Sequence, residues 1–432
     1  MFRMSSITPL FIAAAATVAA SGQCNTPAKI IGSDASFMDY FGGSVAVDSA
    51  GGLPMLISGS TWRTTSGVGR TGLVSSYIKS GNAWSETAVI PSAALVPLDG
   101  FGASVAYDDP YLVIGADGVD GPQGANTGAV YFFERSGTNW INRGRHIPLN
   151  AFPGGAMGRS TAVTTDNGGW AVIGAPETPN GSIVQAGAAF VYRRQPAGNW
   201  TYVQTITDNA SNDGGHWQRL GNSVAISGNV MVVAAYEGDP NYQQASLRGF
   251  LKVYRYDGTS WVQSGPARWA PPSSYGHFGY SVDTDGTYIV ASMPYYTSSA
   301  AESPWTGSTD NAGCVWVFKW NSTTSDWDLD GKLMVRVKDP TYLLGTTVKL
   351  SGGKVFAAST SDDRVYQFRR LGPNNWIQET AYNAPEPSSA FADSMAVGAS
   401  VIAVGAPYTS TPSELCGAAW AEPRMRLGID VL

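Results

Sequence analysis

Charge, histidine and cysteine are all scarce in this 432-residue chain. Lysine, arginine, aspartate and glutamate together make up 14% of it, with a formal net charge of -6. No basic cluster offsets that balance, which argues against nucleic acid as a partner. The three cysteines, Cys24, Cys314 and Cys416, are too few and too oddly spaced for a disulfide framework or a metal site, so no disulfide is expected. The three histidines are His146, His216 and His277. His146 falls in a strand and reads as structural. The other two lie in neighbouring loops with no acidic partner fixed by spacing. No Gly-x-Ser-x-Gly elbow, phosphate loop or His-Glu-x-x-His motif occurs. TDNGGW from Thr165 lacks the Ser-x-Asp-x-Gly frame of a sialidase Asp-box. Long helical stretches rich in Ala, Leu, Glu and Lys are missing too.

Past the first residues no apolar segment of membrane-spanning length appears. The start itself has Arg3, an apolar stretch from Pro9 to Ala20, and small residues at Ala20-Ser21-Gly22. That is the layout of a cleaved signal peptide over residues 1–22. Gln23 is too bulky for the position before Cys24 in a lipobox. The mature chain, residues 23–432, is expected to be soluble and secreted, periplasmic or at the cell surface, without membrane insertion after cleavage.

Glycine, by contrast, is abundant at 51 residues. FGASVAYDDPYLVIGAD from Phe101 has counterparts along the whole chain. Aligned on the Phe-Gly position, seven anchors appear: Phe41, Phe101, Met157, Leu220, Phe278, Leu344 and Phe391. Glycine follows six of them and Ala392 the seventh. Spacing on this scale marks a solenoid or a propeller. Each unit reads as four short segments rich in Val, Ile, Tyr and Phe, such as SVAYD, LVIGAD, GAVYFFER and a last segment opening at a tryptophan. Trp84, Trp140, Trp200, Trp261, Trp327 and Trp376 mark that opening in six units. Such segments, punctuated by glycine, asparagine and aspartate, are strands in antiparallel hairpins. The seventh unit ends before its fourth strand, and Pro27 to Ile31 can supply it. The prediction is an all-β, seven-bladed β-propeller, four antiparallel strands per blade, closed by an N-terminal strand that completes the last blade. Glycines near the inner strands would let backbones crowd the axis, and aromatics of the outer strands would fill the space between blades.

The chain resembles the FG-GAP repeat family, best known from integrin alpha-subunit head domains. Phe101-Gly102 with Gly115-Ala116, Gly174-Ala175-Pro176, and Phe391 with Gly405-Ala406-Pro407 carry the pattern. Exported bacterial FG-GAP repeat proteins, with the same Gly-x-x-Trp turn, are the nearest likeness. The resemblance implies a seven-bladed propeller that binds partners. One feature departs from the family. Its calcium loop between strands one and two is reduced here to short turns, with Asp48, Asp283 and Asp285 as isolated carboxylates. Calcium needs six to eight oxygens, so no cofactor is expected. Asp326, Asp328 and Asp330 in DWDLDG resemble the start of a calcium loop, but Met334 and Val337 stand where a later acidic ligand belongs. DGVDG from Asp117 reads as a turn.

Loop length varies on the face bearing the strand 2–3 and 4–1 loops, where a rigid scaffold collects binding residues. Tyr236 and Tyr242 lie in one enlarged loop, Tyr295, Tyr296 and Trp305 in the next, His277 between them, and Trp62 in the first unit. These are the expected ligand contacts, with an extracellular protein or glycan as partner and no catalysis. The alternatives are a secreted polysaccharide glycosidase or lyase using Glu237, Asp239 or Glu302, and a structural component of a surface assembly.

Overall fold

The computed structural model describes residues 27–423 except 34–38, 49–51, 64–69, 82, 91–95, 182, 209–217, 238–247, 271–275, 298–311, 336–342, 387–389 and 409–417. Residues 1–22, Cys24, His216, Asp239, Tyr242, Glu302, Trp305 and Cys416 therefore lie outside the described residues.

Seven antiparallel sheets form, one per repeat unit. Blade 1 shows the pattern. Its strands are Phe41–Asp48, Met55–Ser60, Leu73–Ser80 and Ala83–Ile90, each hydrogen-bonded to the next. Blades 2, 3, 5 and 6 repeat it over 101–146, 160–207, 282–333 and 348–383. In blade 4 the outer strand is broken into Trp261–Gln263 and Arg268–Trp269, both paired with the third strand. Blade 7 has three strands from the C-terminal end, and Ala28–Ile30 pairs antiparallel with the last of them, Ala418–Pro423. The closing strand thus sits where the sequence placed it, and the ring has no open edge there.

The repeated glycines act between blades. Gly42, after the first anchor, has φ +83°, and a Cβ there would lie 2.3 Å from the Ala418 carbonyl oxygen of blade 7. Gly174, from the second strand of blade 3, packs so closely on blade 4 that a Cβ would lie 1.8 Å from the Gly221 oxygen. Anchor glycine and strand-two glycine of adjacent blades therefore meet backbone to backbone, which only glycine permits. The serine that follows completes the joint. Ser44, Ser104 and Ser160 each donate a hydroxyl to the carbonyl of the next blade's anchor glycine at 2.8 Å. Ser394 of blade 7 does the same to Gly42 of blade 1, also at 2.8 Å, so the first and last blades are joined like any other pair.

Farther out the turn tryptophans fill the widening gaps. Trp200 of blade 3 stacks on Phe132 of blade 2 at 4.7 Å between centroids, and Trp261 of blade 4 meets Trp170 of blade 3 edge-on at 5.7 Å. Each such aromatic pair adds about 1 kcal/mol beyond its buried area. His146 packs among them, between Phe132 and Tyr192, and burial lowers its pKa. Cys314 is buried in the core shared by blades 4 and 5.

Candidate functional site

The innermost strands of all seven blades surround a central channel. Its mouth on the 2–3 and 4–1 loop face is ringed by the residue two places after each anchor. Around the ring these are Gly43, Ala103, Arg159, Asn222, Tyr280, Thr346 and Asp393. The ring is uneven. Blades 1 and 2 contribute a glycine and an alanine, and there the mouth opens into a cleft of about 470 Å³.

Three aromatic side chains wall the cleft. Tyr40, just before the first anchor, contacts Trp62 at 4.6 Å and Tyr408 at 5.0 Å between ring centroids. Trp62 and Tyr408 remain 39% and 44% exposed, enough to receive a ligand. They occupy equivalent places, two residues beyond the second strands Met55–Ser60 of blade 1 and Val401–Ala406 of blade 7. Arg70 lies over the Trp62 ring, its guanidinium carbon 4.1 Å from the centroid, a favourable cation–π placement. Beneath the wall, Arg63 and Asp39 form a buried ion pair at 2.6 Å. These two residues directly adjoin Trp62 and Tyr40 in the chain, so the pair holds both rings in place.

The cleft is also lined by Asp117, Arg159 and Asp393. Arg159 pairs with Asp117 at 3.0 Å and is otherwise largely exposed. Asp393 is open to the cleft; the Thr347 hydroxyl donates to its backbone carbonyl at 3.0 Å, but no described side chain donates to its carboxylate. The protein around it holds its carboxyl above the usual range, with nearby Arg159 working the other way.

The expected aromatic residues of blades 4 and 5 do come together, but they pack on one another. His277 contacts Tyr236 at 5.3 Å and Tyr295 at 5.0 Å, and Tyr280 contacts Tyr236 at 5.6 Å. The Tyr236 hydroxyl accepts a hydrogen bond from Arg219 at 2.6 Å. Burial, reinforced by Glu237, pushes the Tyr236 pKa up to about 12. Burial also lowers the pKa of His277. Tyr296 is only 6% exposed and lies under the Lys332 ammonium, 3.8 Å from its ring centroid. Tyr295, which contacts His277, remains substantially exposed at 41%. Trp62 belongs instead to the cleft on the other side of the mouth.

The carboxylates considered for metal each have protein partners. Asp330 accepts two hydrogen bonds from Arg370 at 2.8 Å and one from Trp376 Nε1 at 3.0 Å, clamping blade 6 to blade 5. Asp326 pairs with Arg268, and Asp328 accepts from Asn321 at 2.7 Å. Asp48 and Asp283 accept backbone N–H groups of the next blade, from Asp109 at 2.9 Å and Leu350 at 2.7 Å. No group of three metal-ligating side chains occurs among the described residues.

Sequence reasoning passed over Tyr40, Arg70, Arg159, Asp393 and Tyr408. The available signal was columnar: the ring position turns small in two consecutive units, and an aromatic follows strand two in the first and last units.

Comparison with known proteins agrees with this architecture. The profile of the FG-GAP repeat matches residues 84–133 and 200–247. Both stretches begin at a turn tryptophan. No curated protein matches the chain. A solved structure of a candidate 6-phosphogluconolactonase from Bacteroides uniformis ATCC 8492 is similar with a TM-score of 0.52 and 10% identity, over 79% of this chain and 85% of that one. At that identity the likeness is one of fold alone. No helix among the described residues is long and apolar enough to cross a membrane.

Proposed function

Given that this chain is an FG-GAP repeat β-propeller, we propose that it is an exported, non-catalytic binding scaffold. It holds an extracellular glycan or protein at the mouth of the propeller, in the cleft walled by Tyr40, Trp62 and Tyr408. The carrying observation is the coincidence of an open cleft with exposed aromatic rings on a rigid rim. Rings of this kind supply contact area at little cost in side-chain entropy, and a few of them dominate most binding sites.

Among the described residues the enzymatic alternative finds no second free carboxylate at this site. Asp117 is tied to Arg159, leaving Asp393 alone. Glu237, the described member of the other carboxylate set, is engaged by Arg219 at 3.6 Å in the blade 4 cluster.

The test is an array of glycans and extracellular proteins, followed by a Trp62→Ala/Tyr408→Ala double variant. Binding should fall by about 2 kcal/mol or more while the melting temperature stays close to that of the parent. Undiminished binding in that variant would place the ligand elsewhere.

A further inference from the structure

We propose that the cleft takes a neutral saccharide, gripped between the Trp62 and Tyr408 rings and the free carboxylate of Asp393. The proposal rests on the reading of the cleft as the ligand seat. It starts from charge. Among the described residues the charged lining is Arg70, Arg159, Asp117 and Asp393, which sums to zero and favours neither a polyanion nor a cation.

What remains is hydrogen-bonding capacity of both kinds. The Arg70 guanidinium lies on Trp62 and has no described ion-pair partner. Arg159 spends one arm on Asp117. The Asp393 carboxylate accepts nothing from the described side chains; the Thr347 hydroxyl goes to its backbone carbonyl. Unpaired donors and an unpaired acceptor thus line one cavity with exposed aromatic rings. A sugar ring has the matching surface: hydroxyls that both donate and accept around its rim, and an apolar C–H face to lie on an aromatic ring. A peptide segment would carry its own charge or present its backbone, and nothing in the lining selects for either.

The width of the seat follows from Gly43 and Ala103. Elsewhere in the ring the same position carries Tyr280 or Asn222, and the side chain of Asn222 is already bonded to the Tyr280 carbonyl at 3.0 Å. The saccharide therefore enters over blades 7, 1 and 2.

The experiment titrates the whole chain with neutral gluco-, manno-, galacto- and chito-oligosaccharides, with heparin and polyuronate, and with acidic and basic peptides. A neutral oligosaccharide should bind with an affinity that barely changes from low to high salt. Asp393→Ala should weaken it about ten- to hundredfold, the loss expected for a hydrogen bond to a charged acceptor. Trp62→Ala/Tyr408→Ala should remove it. If only heparin, polyuronate or a peptide binds, and the double variant removes that binding, the saccharide assignment is overturned while the seat stands. If a ligand binds equally well to the double variant, the seat itself is overturned. Failure of the entire neutral panel also overturns the saccharide assignment.

Discussion

The two sides of the propeller mouth are built from the same repeat and are both rich in aromatics, yet only one is open. Over blades 7, 1 and 2 the ring positions are Asp393, Gly43 and Ala103, and Tyr40, Trp62 and Tyr408 stand around an empty space. Over blades 4 and 5 they are Asn222 and Tyr280, and Tyr236, His277 and Tyr295 pack on one another and on Tyr280. Aromatic density alone does not make a binding site. The side-chain volume at one inner column decides whether rings face a ligand or each other.

The most severe way to break the comparison is Arg63→Ala. It removes the guanidinium that lies 2.6 Å from the Asp39 carboxylate, itself almost fully buried. Removing one member of a buried pair costs about 3 to 5 kcal/mol. Denaturant melts should register that loss, and a double variant with Asp39→Asn should recover part of it. No recovery would mean that packing, not charge, holds the wall.

Filling the open side should cost binding but not stability. Ala103→Tyr copies the residue of blade 5 into blade 2, and any cleft ligand should lose about 2 kcal/mol or more. Retained binding would show that the space over Ala103 is unused. The reciprocal change, Tyr280→Ala, empties the closed side. Tyr280 is partly exposed, so stability should drop by only about 1 kcal/mol, with cleft binding unchanged.

Smaller still is the pH effect of His277. Burial lowers its folded pKa, so the unfolded chain takes up the proton first, near pH 6.5. Its stabilising share is present above that value and is lost as pH falls through the folded pKa. Melts of His277→Gln should show a flatter acid limb than the parent. An unchanged limb would mean that His277 is as free to protonate folded as unfolded. Least of all should calcium or a chelator matter. With Asp330 held by Arg370 and Trp376, the melting temperature is expected to stay fixed, and stabilisation by calcium would reopen Asp326, Asp328 and Asp330 as a site.

The legible part of this molecule was its repetition. Anchor glycines, strand-two glycines and turn tryptophans recur because each serves the same local joint: a backbone approach too close for a Cβ, or an aromatic filling a fixed gap. Such requirements are met within one unit and its neighbour, so they leave periodic traces, and blade number and closing strand followed from them. The choice of face rested instead on where the largest insertions fall. The emphasis on blades 4 and 5 came from counting aromatics along the two longest loops, and such a count cannot register that Tyr296 is buried beneath Lys332.

By itself, then, the amino-acid order determined the blades, their hairpins and the joints between them, all of which rest on contacts between residues near in sequence or one repeat apart. Only the tertiary structure decided where the mouth opens. Trp62 and Tyr408 lie near opposite ends of the chain and meet through Tyr40 only because the Ser394 hydroxyl and the strand Ala28–Ile30 join blade 7 to blade 1. Closing the ring makes neighbours of its ends, but which rings meet there and stay exposed is set by side-chain packing that the repeat pattern does not carry.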